Sequence, residues 1–123
     1  MAKSRQGFTL VELIVVIVVI GILAAIVIAK FTSAKESAYI ASMKTDLRNL
    51  AVYEQSYATD NGAYFSGDGR AQGFTPSVGV TVTATAVSSV PPSWSAVASH
   101  ARTSQTCSVG TVASSGFLDI TCP

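Results

Sequence analysis

The sequence predicts an α+β protein in which one long N-terminal helix packs on a small C-terminal antiparallel β-sheet. First, the run from Phe8 to Ala29 is apolar apart from one charged residue, Glu12. Second, residues 30–59 contain no proline or glycine and carry apolar side chains at helical spacing. Third, residues 78–123 contain short segments of strand character separated by turn residues.

Length and charge limit what the chain can do. Its 123 residues are enough for one small domain. The net charge is +1, and the eight basic residues are dispersed among the acidic ones. Because phosphate binding needs clustered lysine and arginine, we do not expect nucleic acid as a primary partner.

The apolar run has the length of a membrane span. Residues 8–29 as a helix would extend over ~33 Å, against a hydrocarbon core of ~30 Å. No small-x-small cleavage site follows the run, so we expect it to be retained in the protein. Lys3 and Arg5 precede it and, by the positive-inside rule, keep the N-terminus cytoplasmic.

Residues 30–59 are predicted to continue the helix with one apolar face. That face consists of residues three or four positions apart: Ile40, Met43, Leu47, Leu50 and Tyr57. Glu54 falls on the same face and is its polar exception. Asp60, Asn61 and Gly62 provide turn chemistry at the end of the helix, and the glycine-rich residues 60–77 are predicted to form a loop.

Four short strands are predicted in the last part of the chain, over Val78–Val87, Trp94–Ala101, Thr106–Thr111 and Phe117–Thr121. The first alternates strictly, with Val78, Val80, Val82, Ala84 and Ala86 on one face. Short connections between the strands indicate an antiparallel meander. Its apolar face is predicted to pack on the apolar face of the helix.

The residues at the start of the apolar run resemble those of a known family. Residues 5–13, Arg-Gln-Gly-Phe-Thr-Leu-Val-Glu-Leu, are similar to the class III signal sequence of type IV pilins and type II secretion pseudopilins. The similarity extends through Gly21–Ile26 and covers about the first quarter of the chain. It implies the pilin fold, which agrees with the predicted order of elements, and a structural protein that is not an enzyme and needs no cofactor or metal.

The resemblance implies a processing site between Gly7 and Phe8. Residues 1–7 would be the leader peptide, removed by a prepilin peptidase that then methylates the new amino group of Phe8. Gly7 fits this role because its backbone, without a side chain, can enter a tight active site. Removing Lys3 and Arg5 would free the helix to leave the bilayer. The implied partners are the assembly ATPase, the inner-membrane platform protein and further copies of the chain.

Glu12 requires an explanation because a carboxylate in a membrane span costs several kcal/mol and is by default functional. The resemblance implies a partner for it, the α-amino group of Phe8 in a neighbouring subunit of a helical filament. Such a desolvated pair would specify the stagger between subunits more than it adds stability. The alternative is that Glu12, about one turn from the cytoplasmic end, snorkels to water.

Three further positions gain a meaning from the resemblance. Many type IVa pilins have a glycine at the position of Gly21 and a proline shortly after, with a flexible helix between them; here the proline position is Ala29. Cys107 and Cys122 resemble the pair that closes a C-terminal disulfide loop in many pilins. Two free thiols would be unusual in an exported domain.

No catalytic or metal-binding pattern is evident. His100 is the single histidine, and nothing near it in sequence indicates a catalytic triad. Asp60, Asn61, Asp68 and Gly69 lack the spacing of an EF-hand, and turn roles explain them.

The resemblance implies a bacterial pilus subunit, held in the inner membrane as a precursor and then assembled at the cell surface for adhesion, twitching motility or DNA uptake. One alternative is a major pseudopilin of type II secretion. Those proteins commonly bind calcium through C-terminal carboxylates, whereas here the C-terminal part offers only Asp119. The second alternative is a bitopic membrane protein with a small exported domain.

Overall fold

The computed structural model describes residues 6–112 and 118–123. The elements are helix α1 (Leu10–Asn61), a short 3-10 helix (Arg70–Gln72), and strands β1 (Val80–Val87), β2 (Ser93–His100), β3 (Thr106–Val112) and β4 (Ile120–Thr121). This confirms the predicted α+β class. The chain divides into two compact units, an N-terminal unit (Met1–Lys35) and a C-terminal unit (Glu36–Pro123).

The N-terminal unit is the first part of α1. Its large hydrophobic side chains from Leu10 to Ile28 are between 46% and 73% exposed. By length and composition this part of the helix can cross a membrane. An isolated helix that is apolar on all sides needs lipid or other helices around it.

The part of α1 in the C-terminal unit has one buried face. Met43, Leu47 and Leu50 are fully buried on it, as the helical spacing predicts. Asp46 and Glu54 are buried on the same face. The core of this unit therefore contains two carboxyl groups, of which the sequence pattern indicated one.

The four strands form an antiparallel meander in the order β1-β2-β3-β4. Val82 lies opposite Ala98, which in turn lies opposite Cys107. The alternation of β1 is confirmed, since its valine and alanine side chains up to Ala84 are buried and its threonines are exposed. The inner face of the sheet joins the buried helix residues in one hydrophobic cluster through Val80, Val82, Ala84, Trp94, Ala96, Ala98, Cys107 and Val109.

The loop between α1 and β1 completes this core. Phe65 and Phe74 are buried in the cluster. Tyr57 meets Phe65 edge-on, and Tyr53 meets Phe74 in the same way. These contacts hold a glycine-rich segment against the helix although it has little regular structure of its own.

The structure corrects several predicted boundaries. Helix α1 begins at Leu10 rather than Phe8 and continues through Asn61, beyond the predicted end at Thr59. Val78 is 99% exposed and precedes β1, because Gly79 turns the chain with a φ of 84°. The start of the predicted fourth strand, Phe117, lies outside the described residues.

Candidate processing and assembly site

The first turn of α1 is capped by a reciprocal pair of side chains. Oε2 of Glu12 accepts hydrogen bonds from the backbone N–H and the hydroxyl of Thr9, both at 2.8 Å. In return, the backbone N–H of Glu12 donates to Oγ1 of Thr9 at 3.3 Å. This is a capping box, which satisfies backbone donors that the first helical turn leaves free.

The capping box gives Glu12 a role within its own chain that the sequence analysis missed. The signal was present, since Thr9 and Glu12 have the threonine-x-x-glutamate spacing of the motif. The negative carboxylate also lies at the positive end of the helix dipole. Within the described residues, only Oε2 of this carboxylate accepts hydrogen bonds, so Oε1 is open to a further donor.

The predicted cleavage position lies just outside the helix. Residues 6–9 are not helical, and Phe8 is 87% exposed. Among the described residues, apart from the two that adjoin Gly7 in the chain, no atom lies within 4 Å of the position that a Cβ on Gly7 would occupy. The peptide bond between Gly7 and Phe8 is therefore open to approach. The two basic leader residues, Lys3 and Arg5, lie outside the described residues.

Gly21 lies within a continuous helix. A Cβ built at Gly21 would meet no atom within 4 Å, so packing within this chain does not require glycine there. Ala29, which the resemblance aligns with an expected proline, is also helical.

The two cysteines form the disulfide that the resemblance implies. Cys107 is fully buried on β3, and its Cα lies 4.3 Å from that of Cys122, just after β4. Strand β4 consists of two residues, Ile120 and Thr121, paired with β3. The disulfide therefore holds a strand too short to be stable by pairing alone.

The remaining polar candidates have structural roles. His100 is buried at the end of β2, where its ring stacks on Tyr39 at 4.2 Å and its Nδ1 accepts a hydrogen bond from the N–H of Arg102 at 3.1 Å. Asp68 pairs with Arg70 at the surface. Within residues 6–112 and 118–123, no group of three histidine, cysteine or acidic side chains is placed to hold a metal.

Two buried carboxyl groups on α1 fasten the loop that follows the helix. Both oxygens of Asp46 accept hydrogen bonds from Ser77, from its backbone N–H at 2.8 Å and from its hydroxyl at 2.9 Å. Oε2 of Glu54 accepts a hydrogen bond from the N–H of Phe65 at 3.1 Å, while Oε1 has no partner in the part of the chain that the structure describes. Burial raises the pKa of Glu54 to about 7, and the bond from Phe65 opposes this shift.

Comparison with known proteins shows what this N-terminal segment is similar to. Residues 2–28 match the model of the prokaryotic N-terminal methylation motif. The chain is 39% identical over 62 residues to the type II secretion system core protein G of Pseudomonas aeruginosa, covering 50% of this chain and 44% of that protein. It is 34% identical over 64 residues to the type IV wide pilus major component PilA4 of Thermus thermophilus, covering 52% of this chain and 49% of that protein.

A third relative is the type IV major pilin protein PilA of Myxococcus xanthus, 37% identical over 60 residues that cover 49% of this chain and 27% of that protein. The match thus spans half or less of the length of these curated relatives. No solved structure matches the chain significantly. Residues 2–28 therefore carry the methylation motif, and the matched half of the chain is similar both to type IV pilins and to type II secretion pseudopilins.

Proposed function

We propose that this chain is the structural subunit of a type IV pilus, made as a membrane-anchored precursor and assembled into a helical filament through its N-terminal helix. The observation that carries the proposal is the apolar, exposed segment from Leu10 to Ile28, which has the capped carboxylate of Glu12 in its first turn. The C-terminal unit buries a core of its own. The exposed apolar surface of the helix therefore has to be covered, by lipid in the precursor and by other subunits in the filament.

Processing would begin at the peptide bond between Gly7 and Phe8. The support is the non-helical backbone around this bond and the open space around Gly7. A peptidase could bind this segment without first unwinding α1. Cleavage would remove Lys3 and Arg5 and give Phe8 a free amino group, which is then methylated.

Glu12 would supply the contact that sets the stagger between subunits. The amino group of Phe8 is a cation near neutral pH. Oε1 of Glu12 is open to such a donor while Oε2 keeps its bonds to Thr9. A neighbouring subunit displaced from this position would leave both charges unpaired among apolar side chains, which is strongly unfavourable.

The proposal places the precursor in the bacterial inner membrane with the C-terminal unit outside. An assembly ATPase and a platform protein would extract the cleaved subunit. The filament would serve adhesion, twitching motility or DNA uptake at the cell surface.

The test is Glu12→Gln, which keeps the size and hydrogen-bonding capacity of the side chain but removes its charge. We expect normal cleavage and a fall of at least about tenfold in the filament sheared from cells, because a tenfold loss corresponds to only about 1.4 kcal/mol of subunit pairing. Glu36→Gln, the same change on an exposed part of α1, is the control and should assemble normally. Wild-type filament yield from Glu12→Gln would contradict the proposal and favour snorkelling of this carboxylate.

The second candidate function is that of a major pseudopilin, which its similarity to the Pseudomonas aeruginosa secretion protein favours. Thermal melting with a reductant and with a calcium chelator separates the two. A pilus subunit with the Cys107–Cys122 bridge should lose stability in reductant and keep it in chelator. Sensitivity to the chelator alone would favour the pseudopilin.

A further inference from the structure

The free edge of β1 is covered by a short piece of the loop that follows α1. The N–H of Gly67 donates to the carbonyl of Ala84 at 2.9 Å, and the N–H of Ala84 donates to the carbonyl of Gly67 at 2.7 Å. One residue earlier, Oγ of Ser66 accepts a hydrogen bond from the N–H of Ala86 at 2.9 Å. Uncovered edge strands offer unpaired backbone groups to other chains, so this cover controls access to the edge.

The same piece of loop is fastened to the helix by Glu54. Its carboxyl group accepts a hydrogen bond from the N–H of Phe65. Phe65 directly precedes Ser66 and Gly67, the two residues that cover β1. Glu54 is 0% exposed, and its Oε1 has no hydrogen-bond partner among the described residues. Burying a neutral carboxyl group at this site costs far less free energy than burying a carboxylate, because the charge would have a single hydrogen bond to compensate it.

Among the described residues, no lysine or arginine forms an ion pair with Glu54. The one ion pair there joins Asp68 and Arg70. β1 has no ionisable side chain, β2 has only His100, which stacks on Tyr39, and β3 has only Cys107, which is in the disulfide. Other ionisable groups lie near Glu54 in sequence, on α1 and in the loop. Asp46 is hydrogen-bonded to Ser77, and Arg48 and Asp60 are exposed. The remaining three are in contact with other aromatic rings: Tyr53, Tyr57 and Tyr64.

We propose that residues 63–68 form a strap that lies closed while Glu54 is neutral and lifts when Glu54 is charged, uncovering the edge of β1. When the strap lifts, the carboxylate of Glu54 gains access to water. The hydrogen bonds lost are those of Phe65 with Glu54, Gly67 with Ala84 and Ser66 with Ala86. Gly62 and Gly69 flank the strap with φ values of 72° and 74°, in the region that glycine adopts without strain. Burial of Phe65 holds the strap down in the neutral state.

The size of the effect follows from linkage. With a pKa of about 7 in the closed state and the ordinary value of 4.5 in the open state, opening becomes more favourable from pH 5 upwards and levels off above pH 7. Between pH 5 and pH 8 the opening equilibrium should rise by about seventyfold. The proposal does not depend on whether the chain forms a pilus.

The test is hydrogen exchange of the full chain in detergent micelles at pH 5 to 8, expressed as protection factors relative to unstructured peptides. The amides of Phe65, Gly67, Ala84 and Ala86 report on the strap, and those of the β2–β3 ladder are the internal reference. We expect the strap amides to lose protection by about seventyfold as the pH rises from 5 to 8, while remaining at least tenfold less protected than the reference. In Glu54→Gln, which stays neutral, the change should be less than about threefold.

Strap amides in the wild type whose protection is independent of pH would overturn the proposal. So would protection equal to that of the β2–β3 ladder at every pH, because the loop would then open only when the sheet unfolds. An undiminished pH effect in Glu54→Gln would assign the effect to another group. If Glu54→Gln does not fold, the wild-type series by itself still decides between a strap and a fixed loop.

Discussion

At the scale of single residues, Glu54 shows what a periodic pattern can and cannot predict. Its position on the apolar face of α1 followed from helical spacing, and the structure buries it there. Its partner did not follow, because Phe65 is eleven residues away in a loop without periodicity. Asp46 was missed for the same reason, since its contacts with Ser77 join residues 31 positions apart.

The stability of the C-terminal unit should fall as the pH rises from 5 to 8. The pKa of Glu54 is raised to about 7 in the folded state, so the folded state binds the proton more tightly than the unfolded state. The stabilisation is fully present below the unfolded pKa of about 4.5 and is lost as the pH passes the folded pKa, up to about 3 kcal/mol in all. Denaturant unfolding at several pH values measures it, and Glu54→Gln should flatten the profile.

Gly79→Ala should destabilise the fold. Gly79 has a φ of 84°, and an added Cβ would lie 2.9 Å from Nε2 of His100, whose ring packs over the turn before β1. We expect a loss of about 1–3 kcal/mol and a lower melting temperature. Gly110→Ala is the matched control, because a Cβ there meets no described residue within 4 Å apart from its two neighbours in the chain. Equal melting temperatures for the two variants would refute this reason for glycine at position 79.

At the scale of elements, the sequence predicted those with a strong period and lost accuracy where the period ends. The alternation of β1 and the helical face of α1 are both confirmed. The predicted start and end of α1 each differ from the observed ones by two residues. At the C-terminal end the reason is that Asp60 and Asn61 have turn propensity, but the helix continues through them. Val78 kept the alternation in the sequence but lies before β1, because the turn at Gly79 comes between them.

Strand β4 should depend on the disulfide. Removing the bridge with the double variant Cys107→Ser, Cys122→Ser frees a loop of 15 residues, which corresponds to about 3 kcal/mol by chain entropy. We expect a lower melting temperature and faster hydrogen exchange at Ile120 than in the wild type. The melting of this variant should no longer respond to reductant. A wild-type melting temperature in the double variant would show that β4 needs no such bridge.

At the scale of the whole molecule, the two units divide the physical roles. The first has apolar side chains exposed on all sides of a helix, and the second has a closed core with two fastening carboxyl groups. The resemblance of residues 5–13 to the pilin signal sequence predicts Gly7, Phe8 and Glu12 as a site, since that motif lies within a few consecutive residues. The hydrogen bonds between Thr9 and Glu12 were not predicted, although the two residues have the spacing of a capping box.

The most direct measurement is the intact mass and N-terminal sequence of protein sheared from the cell surface. We expect a chain that begins at Phe8, is heavier by one methyl group on its amino terminus, and lacks the two hydrogen atoms that the Cys107–Cys122 bridge removes. Processed chain found only in the membrane fraction would favour the pseudopilin. A chain that still begins at Met1 would contradict the proposed processing and assembly.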